Sequence, residues 1–411
     1  LQKVTVYSIL KQTYVREGPV SSVENFFRKK KGWSLIKDQI FDYYLTPYIA
    51  KILTTRKPLI IIDCFAGKGK FDDQAIGSPL IIAQHIERIL SDEGRLNRNI
   101  SAIFIESKYY KELEDNLSGY RNCSVWAGTF EDNLSKVLEM NSSNNVFVYV
   151  DPYGIKSLDF KRFISIKEKN FNTLEMLVNF NSFGFLREGC RLLKCDRLLG
   201  NLIADSDYEI DEANNISKMD RIANGNYWQQ IIEDFQDRKI NMTQAEERFS
   251  KKYIKQIESL FKYVVTIPIK QKTHHLPKYR LIFGTDSPDG LILMADNMHK
   301  KWKQIVENER AGQAVLFDYD YPDPTIVGEI DLEHEILTIL NSTKSELLLK
   351  GLLVRLIQKY GIAFSERHYI NTVISMQKKD LIQIRRDPEK TPTGRLSRSM
   401  NYNDIQIWVS I

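Results

Sequence analysis

The sequence predicts an α/β protein built on a largely parallel, Rossmann-like sheet. Three observations carry this. Short apolar runs alternate with helix-patterned stretches from Pro58 to about Phe180. A glycine-rich turn follows the first run. Acids stand at the ends of the first, second and fourth runs: Asp63, Glu106 and Asp151. Strands alternating with helices make parallel sheets covered on both faces.

The elements follow in order. Residues 1–55 form a helical N-terminal segment. In it "FFRKKKGW" is basic and flanked by aromatics, and "SLIKDQIFDYYLTPYIAKIL" carries Leu35, Ile36, Ile40, Phe41, Tyr44 and Leu45 at helical spacing. Ser34 is the expected cap of that helix. "PLIIID" (58–63) reads as a buried strand, and "SPLIIAQHIERILSD" (78–92) as a helix with Pro79 in its first turn. Strands at 100–107, 123–128, 145–154 and 173–181 alternate with three more helices. An acidic loop at 205–215 and two helices make a helical insertion at about 195–262. Strands at 263–270 and 278–286 then form an antiparallel pair. The core domain spans 56–316, and "FDYDYPDPT" (317–325) reads as a linker. Residues 326–411 hold three helices and two strands around a basic hairpin, "PEKTPTGRLSRSMN", which is a winged-helix pattern.

Composition excludes several classes. The chain has 411 residues, 43% of them hydrophobic and 27% charged, as in ordinary globular proteins of two or three domains. It has no apolar run of bilayer length and no signal-peptide pattern, so the expectation is a cytoplasmic protein with no membrane partner. Cys64, Cys123, Cys190 and Cys195 form no CxxC, so neither a metal site nor a disulfide framework is expected. Net charge is +5.

The chemistry concentrates at the strand tips. In "DCFAGKG", Asp63 ends the strand and Phe65, Ala66, Gly67 and Gly69 form the turn; Gly77-Ser78-Pro79 closes the loop. Glycine lets a backbone take positive φ and lets a ligand approach closely. Glu106 ends the next strand, where an acid accepts hydrogen bonds from ribose hydroxyls. No strict GxGxxG and no Walker loop is present. Ribose recognition without a pyrophosphate cradle favours S-adenosylmethionine over a dinucleotide. The alternative is a structural turn with a surface glutamate. "YVDPYG" (149–154) then puts Asp151, Pro152 and Tyr153 at the carboxyl end of the fourth strand. A carboxylate and a prolyl carbonyl accept from an exocyclic base amine, and an aromatic face stacks on its ring. These three are the candidate catalytic group. Asn179 and Asn181 on "VNFNSFG" either read an acceptor edge or cap a loop, and Gly184 with "REGCR" reads as a lid. His274-His275 reads as a surface pair.

"DCFAGKG", the following "GSPL", the second-strand Glu106 and the fourth-strand "DPYG" together resemble the three-Cys-motif partner protein (TcmP) family. The resemblance covers roughly residues 30–300. It implies a class I S-adenosylmethionine-dependent methyltransferase-like core, with a three-cysteine radical-SAM-like protein as partner. It also implies cofactor contacts from Asp63, Phe65, Gly67, Gly69, Glu106 and the Gly128-Thr129-Phe130 turn, and an acceptor at Asp151 and Tyr153; Ala66 and Ser78 of the same loop are candidate cofactor contacts beside them. The third strand carries no adenine-binding acid at its tip, so Glu131 or backbone groups would serve.

From Asn341 onward 12 Lys and Arg face 6 Asp and Glu. Arg367, Lys378, Lys379, Arg385, Arg386, Arg395 and Arg398 are candidate nucleic-acid contacts on the third helix and wing, with His368 and Asn371 beside them and "RKKK" (28–31) as a second patch. The expected function is methyl transfer to a base amine of RNA or DNA. The rivals are a non-catalytic methyltransferase-fold subunit serving a second enzyme, and a protein or peptide methyltransferase.

Overall fold

The structure, a computed structural model, describes residues 30, 32–94, 99–155, 157–203, 215–270, 276–312, 330–343 and 345–411. The first described helix is α1 (Gly32–Ile52). The core runs β1 (Leu59–Asp63), α2 (Ser78–Ser91), β2 (Ile100–Glu106), α3 (Tyr110–Leu117), β3 (Cys123–Ala127), α4 (Phe130–Glu139), β4 (Asn145–Val150), α5 (Phe160–Glu168) and β5 (Thr173–Phe180). Then come α6 (Ser182–Leu192), a 3-10 turn (Asp196–Ile203), α7 (Ile216–Ala223), α8 (Tyr227–Gln236), α9 (Met242–Glu258), β6 (Tyr263–Ile269), β7 (Tyr279–Thr285) and α10 (Pro288–Gly312).

The seven strands form one sheet in the order β3-β2-β1-β4-β5-β7-β6. Strands β1 to β5 are mutually parallel, and β7 pairs antiparallel with both β5 and β6. Strand β4 lies inside the sheet, which is why all six residues of "NVFVYV" are buried and apolar alternation is lost. Successive side chains still divide between two cores. Phe147 and Tyr149 face a layer containing α1, α2 and α10, while Val146, Val148 and Val150 face α4 to α9.

Helix α1 is bound to the sheet by aromatic stacking and one buried acid. Phe41 stacks on Tyr149 with ring centroids 4.4 Å apart. The Tyr44 hydroxyl donates to Glu175 Oε2 at 2.6 Å, and Thr285 Oγ1 donates to Oε1 at 3.1 Å. Burial pushes Glu175 up to about 7, against the pull of these two hydroxyls.

The C-terminal residues form α11 (Leu332–Thr343), β8 (Leu347–Leu348), α12 (Leu349–Tyr360), α13 (Glu366–Lys378), β9 (Gln383–Asp387) and β10 (Gln406–Ser410), with a small sheet ordered β8-β10-β9. Their apolar side chains continue the α1/α10 core. Helix α10 joins the parts: Asn297 donates to the Ile40 carbonyl at 2.7 Å, and Asp289 pairs with Lys51 and Lys350 at 2.7 Å each.

Several expectations change. Helix α1 is described from Gly32, so Ser34 sits inside it and not at its cap position. Residues 182–192, expected to continue a lid, form a helix, α6, which starts where Asn181 accepts from the Gly184 N–H. Helices α7 and α10 and the short β8 are additional to the sequence reading. Arg28, Lys29, Lys31, His274, His275, residues 205–214 and the 317–325 linker lie outside the described residues.

Glu175 gives a pH test. The folded protein holds its proton up to about pH 7, whereas a glutamate in the unfolded chain releases it near its ordinary value of 4.5. The folded state therefore binds more protons in between, and this contribution to stability is full below the lower value and lost as pH rises through the higher. Urea unfolding of the wild type should lose about 3 kcal/mol relative to Glu175→Gln between pH 4 and pH 8. A pH-independent difference between the two proteins would contradict the assignment.

Candidate functional site

Strand order reverses between β1 and β4: β2 and β3 extend the sheet to one side, β4 and β5 to the other. In open α/β sheets the crevice outside the carboxyl ends at such a point receives ligands. A cavity of about 460 Å³ opens there, within the size range of small-molecule sites. Its walls come from the turn after β1, the tips of β2 and β3, the corner after β4, and helices α1 and α6.

The turn after β1 is built for close approach. Gly67 and Gly69 take φ of +64° and +77°, and Gly128 at the β3 tip takes +108°. A Cβ on Gly69 would stand 2.9 Å from Leu113 Cδ1. Glu106 holds the turn, accepting from the Gly67 N–H at 2.7 Å, the Lys108 N–H at 2.8 Å and the Tyr109 N–H at 3.0 Å. A carboxylate has about four lone-pair sites, so a further donor can be accepted.

Of the residues expected at this site, Phe65, Ala66, Gly67, Gly69, Ser78, Glu106, Gly128, Thr129, Phe130, Asp151, Pro152, Tyr153 and Asn181 line the cavity. Asp63 does not. It is fully buried and ties the loop together, accepting from Ser78 Oγ at 2.6 Å and the Phe65 N–H at 3.2 Å. Burial pushes it up to about 7, against those two bonds. Glu131 also points away, to Arg162 at 2.6 Å. Thr129 is the N-cap of α4 in a capping box with Asp132, which leaves backbone groups of the Gly128–Phe130 turn at the cavity.

The fourth-strand corner is more engaged than the sequence suggests. Lys37, from α1, donates to and ion-pairs with Asp151 Oδ2. Asn179 Nδ2 donates to Oδ1 at 2.8 Å. Asn179 is 1% exposed and does not line the cavity, so it acts on the site through Asp151. Ser34, Lys37 and Asp38 all line the cavity and were missed by sequence reasoning. Lys30 pairs with Asp38 at 2.7 Å and donates to the Ile76 carbonyl at 2.6 Å. It is thus a bracket between α1 and the loop after β1, not a phosphate contact. Burial works to lower the Lys37 pKa, but Asp151 and Asp38 outweigh it and the net shift is upward. Burial raises Asp38, against Lys37 and Lys30. The signal in the sequence was "LIKDQ", charges inside an otherwise buried helical face.

The basic C-terminal residues divide into two sets. Lys379 pairs with Glu333 at 2.6 Å. Arg385 makes a fork to Glu346 at 2.5–3.2 Å and lies over Trp408, and Arg386 donates to the Ser399 carbonyl at 2.9 Å. These three are occupied within the fold. Arg367, Lys378, Arg395 and Arg398 are exposed, and their side chains have no partner among the described residues. Asn371 is exposed on α13. His368 Nδ1 is taken up with Ser365 in the cap of that helix.

No family model and no curated protein matches the chain. Solved structures give weak likenesses. A protein provisionally assigned as an O-methyltransferase from Klebsiella pneumoniae is 8% identical, with 65% of this chain and 97% of that chain covered and a TM-score of 0.29. A dimethyladenosine transferase from Plasmodium falciparum is 11% identical, over 82% and 97% of the two chains, at a TM-score of 0.23. A protein provisionally assigned as a zinc-dependent alcohol dehydrogenase from Rhodobacter sphaeroides is 10% identical, over 62% and 100%, at 0.26. Scores this low carry no argument, and the architecture rests on the strand order itself.

The Lys37–Asp151 pair has a direct stability test. With side chains 10% and 18% exposed, removing one charge strands the other. Asp151→Asn should destabilise the protein by about 3 kcal/mol, and adding Lys37→Met should recover most of that. Additive losses in urea unfolding would mean the two groups are not coupled.

Proposed function

We propose that the chain is an S-adenosylmethionine-dependent methyltransferase acting on an exocyclic base amine of RNA or DNA. One observation carries this reading: the glycine turn, Glu106 and the Asp151-Pro152-Tyr153 corner, far apart in sequence, line one cavity at the point where strand order reverses. A sheet ordered 3-2-1-4-5-7-6 with only the seventh strand reversed is also the core expected of a class I methyltransferase.

The residues fit such a cofactor. Positive-φ glycines clear the turn, and Glu106 retains capacity to accept from a ribose hydroxyl. Phe65 and Phe130 meet edge to face at 6.0 Å beside the β3 tip, giving an apolar wall. The bound cofactor supplies an electrophilic methyl group on sulfur. The chain's part is positioning: Asp151 and the Pro152 carbonyl accept from the amine, Tyr153 stacks on the ring, and Lys37 with Asn179 holds Asp151 still.

The C-terminal residues read as a winged-helix module that adds nucleic-acid affinity. Arg395 and Arg398 on the hairpin, with Arg367 and Lys378 on α13, are its candidate phosphate contacts. A second reading is favoured by one observation. Both Asp151 oxygens already accept from the protein, as suits a non-catalytic subunit that binds a nucleoside or nucleic acid for another enzyme.

Two measurements test this. Incubation with methyl-tritiated S-adenosylmethionine and mixed RNA or DNA should label the nucleic acid, and Asp151→Ala should lower the rate about 100-fold. Cofactor binding without label transfer would favour the subunit reading. For a single strand, replacing Arg395 and Arg398 with Gln should make the plot of log affinity against log salt shallower by roughly 1.4. An unchanged slope would remove the hairpin from the interface.

A further inference from the structure

The nucleoside reading leaves one feature of the cavity unused. Lys37 is 8% exposed and lines the cavity from α1. An ammonium has three donors. Among the described residues Asp151 is its one hydrogen-bond partner. Two N–H groups of a buried cation therefore remain, in a wall that a ligand would touch. Unmet donors on a buried ion are costly, so this wall calls for an acceptor.

The charge balance says which kind. Lys30, Lys37, Asp38 and Asp151 form a connected set of two cations and two anions. Their sum is zero. A phosphate would bring uncompensated negative charge beside two carboxylates. A zwitterion brings none, and its two ends find opposite charges on adjacent residues. The set also lies between the loop after β1, which Lys30 grips at the Ile76 carbonyl, and the Asp151 corner.

We propose that Lys37 and Asp38 read the amino-acid end of the nucleoside ligand, the Lys37 ammonium taking its α-carboxylate and the Asp38 carboxylate its α-ammonium. This rests on the nucleoside reading above and assigns α1, a helix ahead of the core, to ligand selection. The site then distinguishes S-adenosylmethionine and S-adenosylhomocysteine from 5′-methylthioadenosine, which has the same adenosine and thioether but no amino acid.

Titration calorimetry with the full chain tests it without any methyl acceptor. The wild type should bind S-adenosylhomocysteine at least 10-fold more tightly than 5′-methylthioadenosine. Lys37→Met should erase that preference and leave 5′-methylthioadenosine affinity within 2-fold, which also reports that the variant is folded. If the single variant does not fold, Lys37→Met with Asp151→Asn supplies the same comparison without a stranded charge. Lys37→Arg should keep most of the preference. Equal loss of both ligands in a folded variant, or a preference that survives Lys37→Met, would overturn the proposal while sparing the nucleoside reading. Failure of the wild type to bind any of the three would overturn both.

Discussion

The reversal of strand order between β1 and β4 is the constraint on which everything else turns. Neighbouring parallel strands whose crossovers leave in opposite directions cannot both be covered at their carboxyl ends by the same connection. The gap that results is framed by whatever the sequence places at those ends. Here it places a glycine turn after Asp63, Glu106 one strand away on one side, and Asp151 on the other. Asp63 pairs in register with Tyr149, so the Asp151 corner begins just beyond the level at which the turn after β1 starts. The site is a product of topology first and of side chains second.

The acids around this gap do different work because their surroundings differ. Asp63 is sealed beneath the loop, where Ser78 and the Phe65 N–H compensate a buried carboxyl. Glu106 stays at the cavity wall, its charge spread over three backbone N–H groups. Asp151 is kept company by an ammonium brought from α1. Three residues that look alike in the sequence are thus a clamp, a wall and an ion pair. Each side chain's partner, not its position at a strand tip, decides which.

Most of the sheet was legible because its signal is local. The apolar runs at 58–63, 145–150 and 173–180 and the turn between them announce strands and their ends within a few residues. The part of the cavity lining that sits at the strand tips followed, since strand tips gather by topology. What stayed hidden depends on packing across long separations. Nothing near Lys37 says that it meets Asp151, 114 positions away. Asp63 and Asn179 look like lining residues until the loop and β5 bury them. In the C-terminal region, seven basic residues read alike, yet Glu333, Glu346 and a backbone carbonyl take up three of them.

Those pairings bear on how a macromolecule would be held. An arginine already forked to a carboxylate gives up that bond before it can neutralise a phosphate, and gains little net energy in the exchange. The exposed charge that costs nothing to use lies on the hairpin and one face of α13. The C-terminal helices share a core with α1 and α10, and α10 is bonded to both α1 and the C-terminal residues. Helix α1 in turn carries Lys37 into the cavity. The basic face and the strand-tip cavity are therefore linked through packed, hydrogen-bonded helices, and a shift of α1 would be felt first at Asp151.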